Sequence, residues 1–287
     1  MSTIDPAGTL GELVAERPAR APLFERLRLD YCCGGSQTLA EACRKRGLEI
    51  DTVRGMLEAA LDAASIEREG FEPTDWRRAS IAELCAHIVE AHHNGLRESL
   101  PRIEALLSTV VRVHGSEHPE LRELQRAFAD IRGELEPHLA REESVLFPAC
   151  IELERRGIGI EEALLEEHER EHASVGDGLA ALRALGGDYS PQQALCGTHR
   201  ALLDALAAFE RDLHQHIHEE NNVLLSRARE LNGLGPSQPT RPDTPNERAE
   251  SPMNAPRNHR RAKEGESLPR CCETWIVEQT RAWAVRP

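Results

Sequence analysis

Aromatic residues are almost absent from this chain: three Trp, two Tyr and five Phe among 287 residues. β-Sandwiches and barrels draw on aromatic and β-branched side chains. Their shortage, beside an abundance of Leu, Ala, Glu and Arg, points to an all-α protein. Long apolar runs are lacking too, and no stretch reaches the roughly 18 uncharged apolar residues of a membrane span. The opening residues, MSTIDPAGTLGEL, have neither the basic leader nor the apolar segment of a secretory signal. The expected location is therefore cytoplasmic, away from membranes. Positive charge is in deficit, with 35 Lys and Arg against 49 Asp and Glu and a net charge of −14. Such a surface repels phosphates, so no nucleic-acid partner is expected.

The 8 cysteines do not form a disulfide framework. Four of them stand as adjacent pairs, Cys32–Cys33 and Cys271–Cys272. Neighbouring Cα atoms are about 3.8 Å apart across a trans peptide, shorter than a relaxed disulfide requires. In a reducing cytosol these are better read as thiols, metal ligands or redox-active groups. Tyr31 precedes the first pair and Gly34–Gly35 follows it, which suggests a tight turn that exposes the thiols. A reactive role is expected for Cys32 and Cys33, against the alternative of two small packed hydrophobes. Cys43, Cys85, Cys150 and Cys196 are expected in the core.

Three regions follow from the placement of Gly and Pro. Residues 1–71 read as a small helical domain, broken by Pro18, Pro22, Gly34–Gly35 and Gly47, and GFEPTDW, 70–76, reads as a linker. Residues 80–233 carry four long helical segments. The first starts at Ser80 with Glu83 as a capping box and runs to about Val113, with a kink expected near Pro101. The second runs from about Pro119 to Arg156, bent by Pro137, and stops at Gly157. The third runs from about Ile160 to Leu185 and ends at Gly186–Gly187. The fourth starts near Pro191 and ends near Gly233. Short connections favour antiparallel neighbours, hence an up-down-up-down four-helix bundle. Residues 234–287 are rich in Pro and charge and are expected to be disordered, because they cannot bury enough apolar surface to offset ordering entropy.

All but His259 of the 13 histidines fall between His87 and His218, within the bundle. The second and fourth segments carry similar words, HLAREESVL from His138 and HIHEENNVL from His216. Each is His-x-x-x-Glu followed by Val-Leu, an internal repeat that suggests two related halves. Residues i and i+4 share a helix face, so His138 with Glu142, and His216 with Glu220, can reach one metal region. A lone His-x-x-x-Glu is usually a solvated pair; two copies in one apolar frame are a stronger signal. Imidazole and carboxylate suit iron, zinc or manganese, and two bridging glutamates can hold a metal pair about 3.5–4 Å apart. The first segment then offers His87, His92 or His93, and the third His168 or His172. His114, His118, His199 and His259 are expected on the surface, and His214 and His218 point elsewhere on the helical wheel. Glu143 and Glu219 face away from the metal as solvated or supporting groups.

The words DYCCGGSQTLAEAC, HIVEAHHNGLRESLP, EREHASVG and the two His-x-x-x-Glu repeats resemble those of the iron–sulfur cluster repair (RIC) family of haemerythrin-like di-iron proteins. The resemblance spans about Leu10 to Leu231. It implies an antiparallel four-helix haemerythrin-like bundle with a small N-terminal helical domain. It also implies two non-haem irons on His93, His138, Glu142, His172, His216 and Glu220, with the two glutamates bridging, and it selects His172 over His168. Water, oxo or hydroxo groups, nitric oxide or dioxygen would complete the coordination. The implied role is repair of clusters damaged by oxidative or nitrosative stress, by iron donation or nitric oxide chemistry, with damaged iron–sulfur proteins as partners. No classical substrate turnover is assigned, and a homodimer is one option for the assembly. The alternative is a haemerythrin-like binder or sensor of dioxygen or nitric oxide, which has no evident use for the Cys-Cys-Gly-Gly word. A structural zinc bundle would be richer in cysteine at the ligand positions.

Overall fold

The computed structural model describes residues 4–67 and 74–233. The expectations for the tail, with His259, Cys271, Cys272, Trp275 and Trp283, and for the start of the 70–76 linker lie outside the described residues. Every extended element among the described residues is helical, apart from a single bridge between Thr9 and Thr38.

Four short helices come first: α1 (Leu10–Glu16), α2 (Ala21–Leu27), α3 (Leu39–Arg46) and α4 (Ile50–Glu67). Thr9 with Glu12, and Thr38 with Glu41, form capping boxes that fix the starts of α1 and α3. Leu10, Val14, Phe24, Leu39 and Leu57 meet in a core of their own.

The bundle has four long helices. α5 begins at Ile81–Ile88, passes through a π-helical turn at Val89–His93 and continues as Asn94–His114. α6 comprises Glu120–Arg141, a π turn at Glu142–Leu146, and Phe147–Arg156. α7 is Glu162–Leu185. α8 comprises Gly197–Glu219, a π turn at Glu220–Leu224, and Leu225–Leu231. The Ser80–Glu83 capping box opens α5, and Gly157, at φ 67°, closes α6 in the left-handed conformation that glycine adopts freely.

Two expectations change. Pro101 and Pro137 lie inside unbroken α-helical segments; both are exposed, as are the residues one turn earlier, Arg97 and Gly133, so the freed carbonyls face water. The irregular hydrogen bonding of these helices falls at the three π turns. α8 starts at Gly197, later than Pro191 suggests, because Pro191–Gln193 forms only a 3₁₀ turn and the Cys196 side chain caps the helix.

The chain direction places the metal-binding words at one level. His93 lies in the first half of α5 and His168 and His172 in the first half of α7, whereas His138–Glu142 begins at the middle of α6 and His216–Glu220 lies just past the middle of α8. In an antiparallel bundle these positions come to one level. A large apolar cluster that includes Leu100, Leu107, Leu124, Phe128, Leu179 and Leu206 lies on one side of that level. A second, with Ile81, Leu84, Phe147, Leu165 and Leu224, lies on the other. The polar layer is thus enclosed between two dry ones.

Candidate metal centre

Five histidines and two glutamates converge in that layer: His93, His138, His168, His172, His216, Glu142 and Glu220. None is more than 5% exposed. They fall into two groups that share both carboxylates. Glu142 Oε1 lies 2.7 Å from His138 Nε2 and 3.3 Å from His168 Nε2, while its Oε2 lies 3.3 Å from His93 Nε2. Glu220 Oε2 lies 3.0 Å from His168 Nε2 and 3.1 Å from His172 Nε2, while its Oε1 lies 3.2 Å from His216 Nε2. Each carboxylate therefore divides its two oxygens between two sets of imidazoles.

The contacts are close, yet both Glu142 oxygens and Glu220 Oε1 lack a hydrogen bond of acceptable geometry. Buried carboxylate oxygens without partners are costly. Pairs of ring nitrogens also face one another, His93 with His216 at 3.1 Å and His138 with His172 at 3.0 Å. Donors aimed at common points, rather than at each other, fit metal ions. Burial raises the Glu220 carboxyl, but His216, His168 and His172 hold it well below its ordinary value. Burial and Glu220 raise Glu142, and the imidazoles of His138, His172 and His216 beside it bring it below its ordinary value. Both are anionic, the form a metal needs.

The far side of three rings is also anchored. His93 Nδ1 donates to Glu143 Oε1 at 2.6 Å, and Arg97 holds that carboxylate at 2.7 Å. His138 Nδ1 donates to Glu171 Oε2 at 2.8 Å, which Arg141 also contacts, and His172 Nδ1 donates to Asn221 Oδ1 at 2.8 Å. These bonds fix the tautomer, so that each Nε2 lone pair faces the centre.

Residues 85–228 match the model of the hemerythrin HHE cation binding domain, and residues 7–61 match a domain of unknown function, DUF542. The chain is 36% identical over 221 residues to the iron-sulfur cluster repair protein YtfE of Yersinia pseudotuberculosis serotype IB (strain PB1/+). It has the same identity over the same length to the YtfE protein of Yersinia pestis (strain Pestoides F). In both cases the match covers 77% of this chain and 96% of the relative. The chain belongs to the YtfE family of iron–sulfur cluster repair proteins. As its haemerythrin domain and the buried His and Glu cluster indicate, it is a metal-binding protein.

The family's Cys-Cys-Gly-Gly word lies against α7 and α8. Asn222 Nδ2 donates to the carbonyls of Tyr31 and Cys32 at 3.2 and 3.0 Å, and His218 Nδ1 donates to the Tyr31 carbonyl at 3.3 Å. His214, set aside in the sequence, donates to Glu25 at 2.8 Å across the same junction. Asp30 Oδ1 gathers the backbone N–H groups of Cys32 and Cys33 at 3.2 and 3.0 Å. The two sulfurs are 3.9 Å apart, and Cys33 Sγ lies 3.4 Å from the carbonyl of His172. Cys32 is buried and Cys33 half-buried. The hydrogen bond with Cys33, burial and Asp30 all push the Cys32 thiol up.

Gly35 is required by this junction. A Cβ there would lie 2.2 Å from Asn222 Oδ1 and 2.7 Å from the Tyr31 carbonyl. Gly35→Ala should therefore lower stability by about 1–3 kcal/mol through overpacking, read as a shift in the urea midpoint. An unchanged midpoint would show that the junction yields without cost.

Some residues stand elsewhere than expected. His168, passed over for His172, lies in the cluster one helical turn before it; the His-x-x-x-His spacing in α7 was the available signal. Of the two alternatives for Glu219, solvated or supporting, the solvated one falls: it is buried against His87 and His92. His199, expected on the surface, is buried and accepts the Leu195 N–H at 3.1 Å. Cys43, Cys85, Cys150 and Cys196 are buried, as expected.

Among the described residues no helix is long and apolar enough to cross a membrane. The metal-binding words all precede Leu231, the last residue of α8. Deleting residues 236–287 should thus leave helicity and metal content unchanged, as measured by circular dichroism and metal analysis. Metal loss on truncation would mean that the tail contributes to the centre.

Proposed function

We propose that this chain is a di-iron protein that repairs iron–sulfur clusters damaged by oxidative or nitrosative stress. The observation that carries the reading is the division of each carboxylate between two histidine groups. Glu142 and Glu220 would bridge, with His93 and His216 at one position and His138 and His172, joined by His168, at the other. Nitrogen and oxygen donors of this kind suit iron. Bound iron would supply one-electron redox chemistry and a place for nitric oxide or dioxygen to bind.

The protein's own contribution is enclosure and delivery. The apolar clusters above and below the layer keep water from the carboxylates, and Glu143, Glu171 and Asn221 hold the imidazoles in orientation. Oxygen and nitrogen donors hold iron(II) less tightly than copper or zinc, so cargo iron can pass to a sulfur-rich acceptor. In this division, residues 80–233 hold the metal and residues 1–71 present the thiols, with Cys33 beside the turn that carries His172. The six cysteines of the described residues stand as thiols rather than disulfides, which suits a reducing compartment such as the cytoplasm. The clients would be damaged iron–sulfur proteins. A simple carrier of dioxygen or nitric oxide would have no use for thiols placed against a ligand helix.

The test is direct. Iron-loaded protein should restore activity to a nitric-oxide-treated iron–sulfur enzyme, and metal-stripped protein should not. Equal restoration by both would sink the donor reading.

A further inference from the structure

Beside the ligand-bearing faces of α5 and α8 these two helices present a second group of ligating atoms. His92 precedes His93, and Glu219 precedes Glu220. Successive helical residues point about 100° apart, so the inward pair His93 and Glu220 is backed by the pair His92 and Glu219. His87, one turn earlier on α5, completes a set of three donor atoms that all lie within 4.8 Å of one another.

The geometry of this set is that of a coordination shell. Glu219 Oε2 lies 3.2 Å from His87 Nε2 and 3.5 Å from His92 Nε2. Metal–ligand bonds of about 2.0–2.1 Å in a tetrahedral shell place ligand atoms about 3.3–3.4 Å apart. His92 and Glu219 are 6% and 7% exposed, yet His92 Nε2 and Glu219 Oε2 have no hydrogen bond of acceptable geometry. Two buried polar atoms that approach each other without a hydrogen bond of acceptable geometry fit a third participant between them. The supports of a metal site are also in place. His92 Nδ1 donates to Asp212 Oδ1 at 2.7 Å, the carboxylate–histidine arrangement that orients metal-binding imidazoles. The Trp76 ring stacks on His87, with centroids 4.0 Å apart at 22°.

We propose that His87, His92 and Glu219 form a third, mononuclear site for a divalent first-row metal ion, placed between the buried centre and solvent. Two histidines and one carboxylate leave a coordination position open, as in exchangeable rather than closed structural sites. The location gives the site a use. The His87 side chain is 27% exposed, whereas the seven residues of the centre are sealed. The His92 ring is 5.9 Å from that of His216. An iron(II) ion entering or leaving the centre would pause here. This staging role rests on the iron-donor reading; the existence of the site does not.

The test uses full-length protein already loaded with iron. Equilibrium dialysis against Zn²⁺, with metals counted per chain, should show one zinc beyond the resident iron. His87→Phe keeps a ring to stack on Trp76 and removes the ligand. It should weaken that zinc by at least about tenfold, since even an outer hydrogen-bond partner of a metal ligand is worth about 10–100-fold. His87→Ala should do the same, and in both variants the iron count and optical spectrum of the centre should match the parent. If the parent takes up no additional zinc, or the variants bind it as the parent does, the cluster is an ion-pair network and the proposal fails. Staging is read separately, as the rate at which an iron(II) chelator strips the loaded protein. His87→Phe should slow that rate severalfold, and an unchanged rate would overturn staging. Neither measurement involves a damaged cluster, so failure here is distinct from failure of the repair reading.

Discussion

Glu142→Ala should leave the chain with less than half of the parent's iron, and Glu220→Ala should do the same. Each of these side chains has one oxygen among the imidazoles of one group and the second oxygen among those of the other. Losing either carboxylate would remove a ligand from both metal positions at once. It would also leave neighbouring imidazoles facing a buried gap. Glu142→Gln separates ligation from packing, because it keeps the volume and removes the charge; it should lose iron as Glu142→Ala does. Glu143 supplies the comparison. It lies outside the centre but holds His93 from behind, so Glu143→Ala should weaken iron retention by about 10–100-fold without abolishing the site. His168→Ala should lose iron alongside His172→Ala, since both rings reach Glu220 within 3.1 Å. Metal analysis of protein from iron-replete cells checks the whole series. Parent-level iron in Glu142→Ala would show that the carboxylates are not bridges.

The second large effect concerns the thiols. A Cys32→Ala, Cys33→Ala double variant should keep the parent's iron and optical spectrum. It should fail to restore a nitric-oxide-damaged iron–sulfur enzyme under conditions where the parent succeeds. Neither sulfur belongs to the centre, yet Cys33 Sγ touches the carbonyl of His172. Thiolates can receive iron or supply electrons, and access decides which thiol does so. Cys32 is buried and its thiol is pushed up, which disfavours the thiolate; Cys33 is half-buried. The single variant Cys33→Ala should therefore account for most of the loss. Repair at the parent's level by the double variant would make the pair a packing feature of the interdomain junction.

Much of the centre is legible in the residues themselves. Two His-x-x-x-Glu words at matching places in an apolar frame announce a shared face, and the antiparallel order follows from short connections. The sequence is less informative about which of two histidines on one face is used. His168 and His172 differ by one turn, and only the approach of α8 shows that both reach Glu220. The π turns are invisible to a reading that assumes a constant 3.6-residue period. A five-residue turn at Val89–His93 carries the adjacent pair His92 and His93, which meet different neighbours. Glu219 lies in the regular part of α8, and its burial comes from the approach of His87 and His92 on α5. Pro101 and Pro137 stand at exposed positions inside continuous α-helical segments, so neither ends a helix. The glycines of the Cys-Cys-Gly-Gly word suggested an exposed turn. Gly35 is instead a point of close approach, where the side chain of Asn222 leaves no room for a Cβ.

Two irons sharing two carboxylates are the central claim, and metal counting with a Mössbauer spectrum of iron-57-enriched full-length protein tests it most directly. The account predicts about two irons per chain, in a spectrum of a spin-coupled pair with nitrogen and oxygen ligands. A single zinc per chain in protein from iron-replete cells, or iron in isolated uncoupled sites, would contradict it.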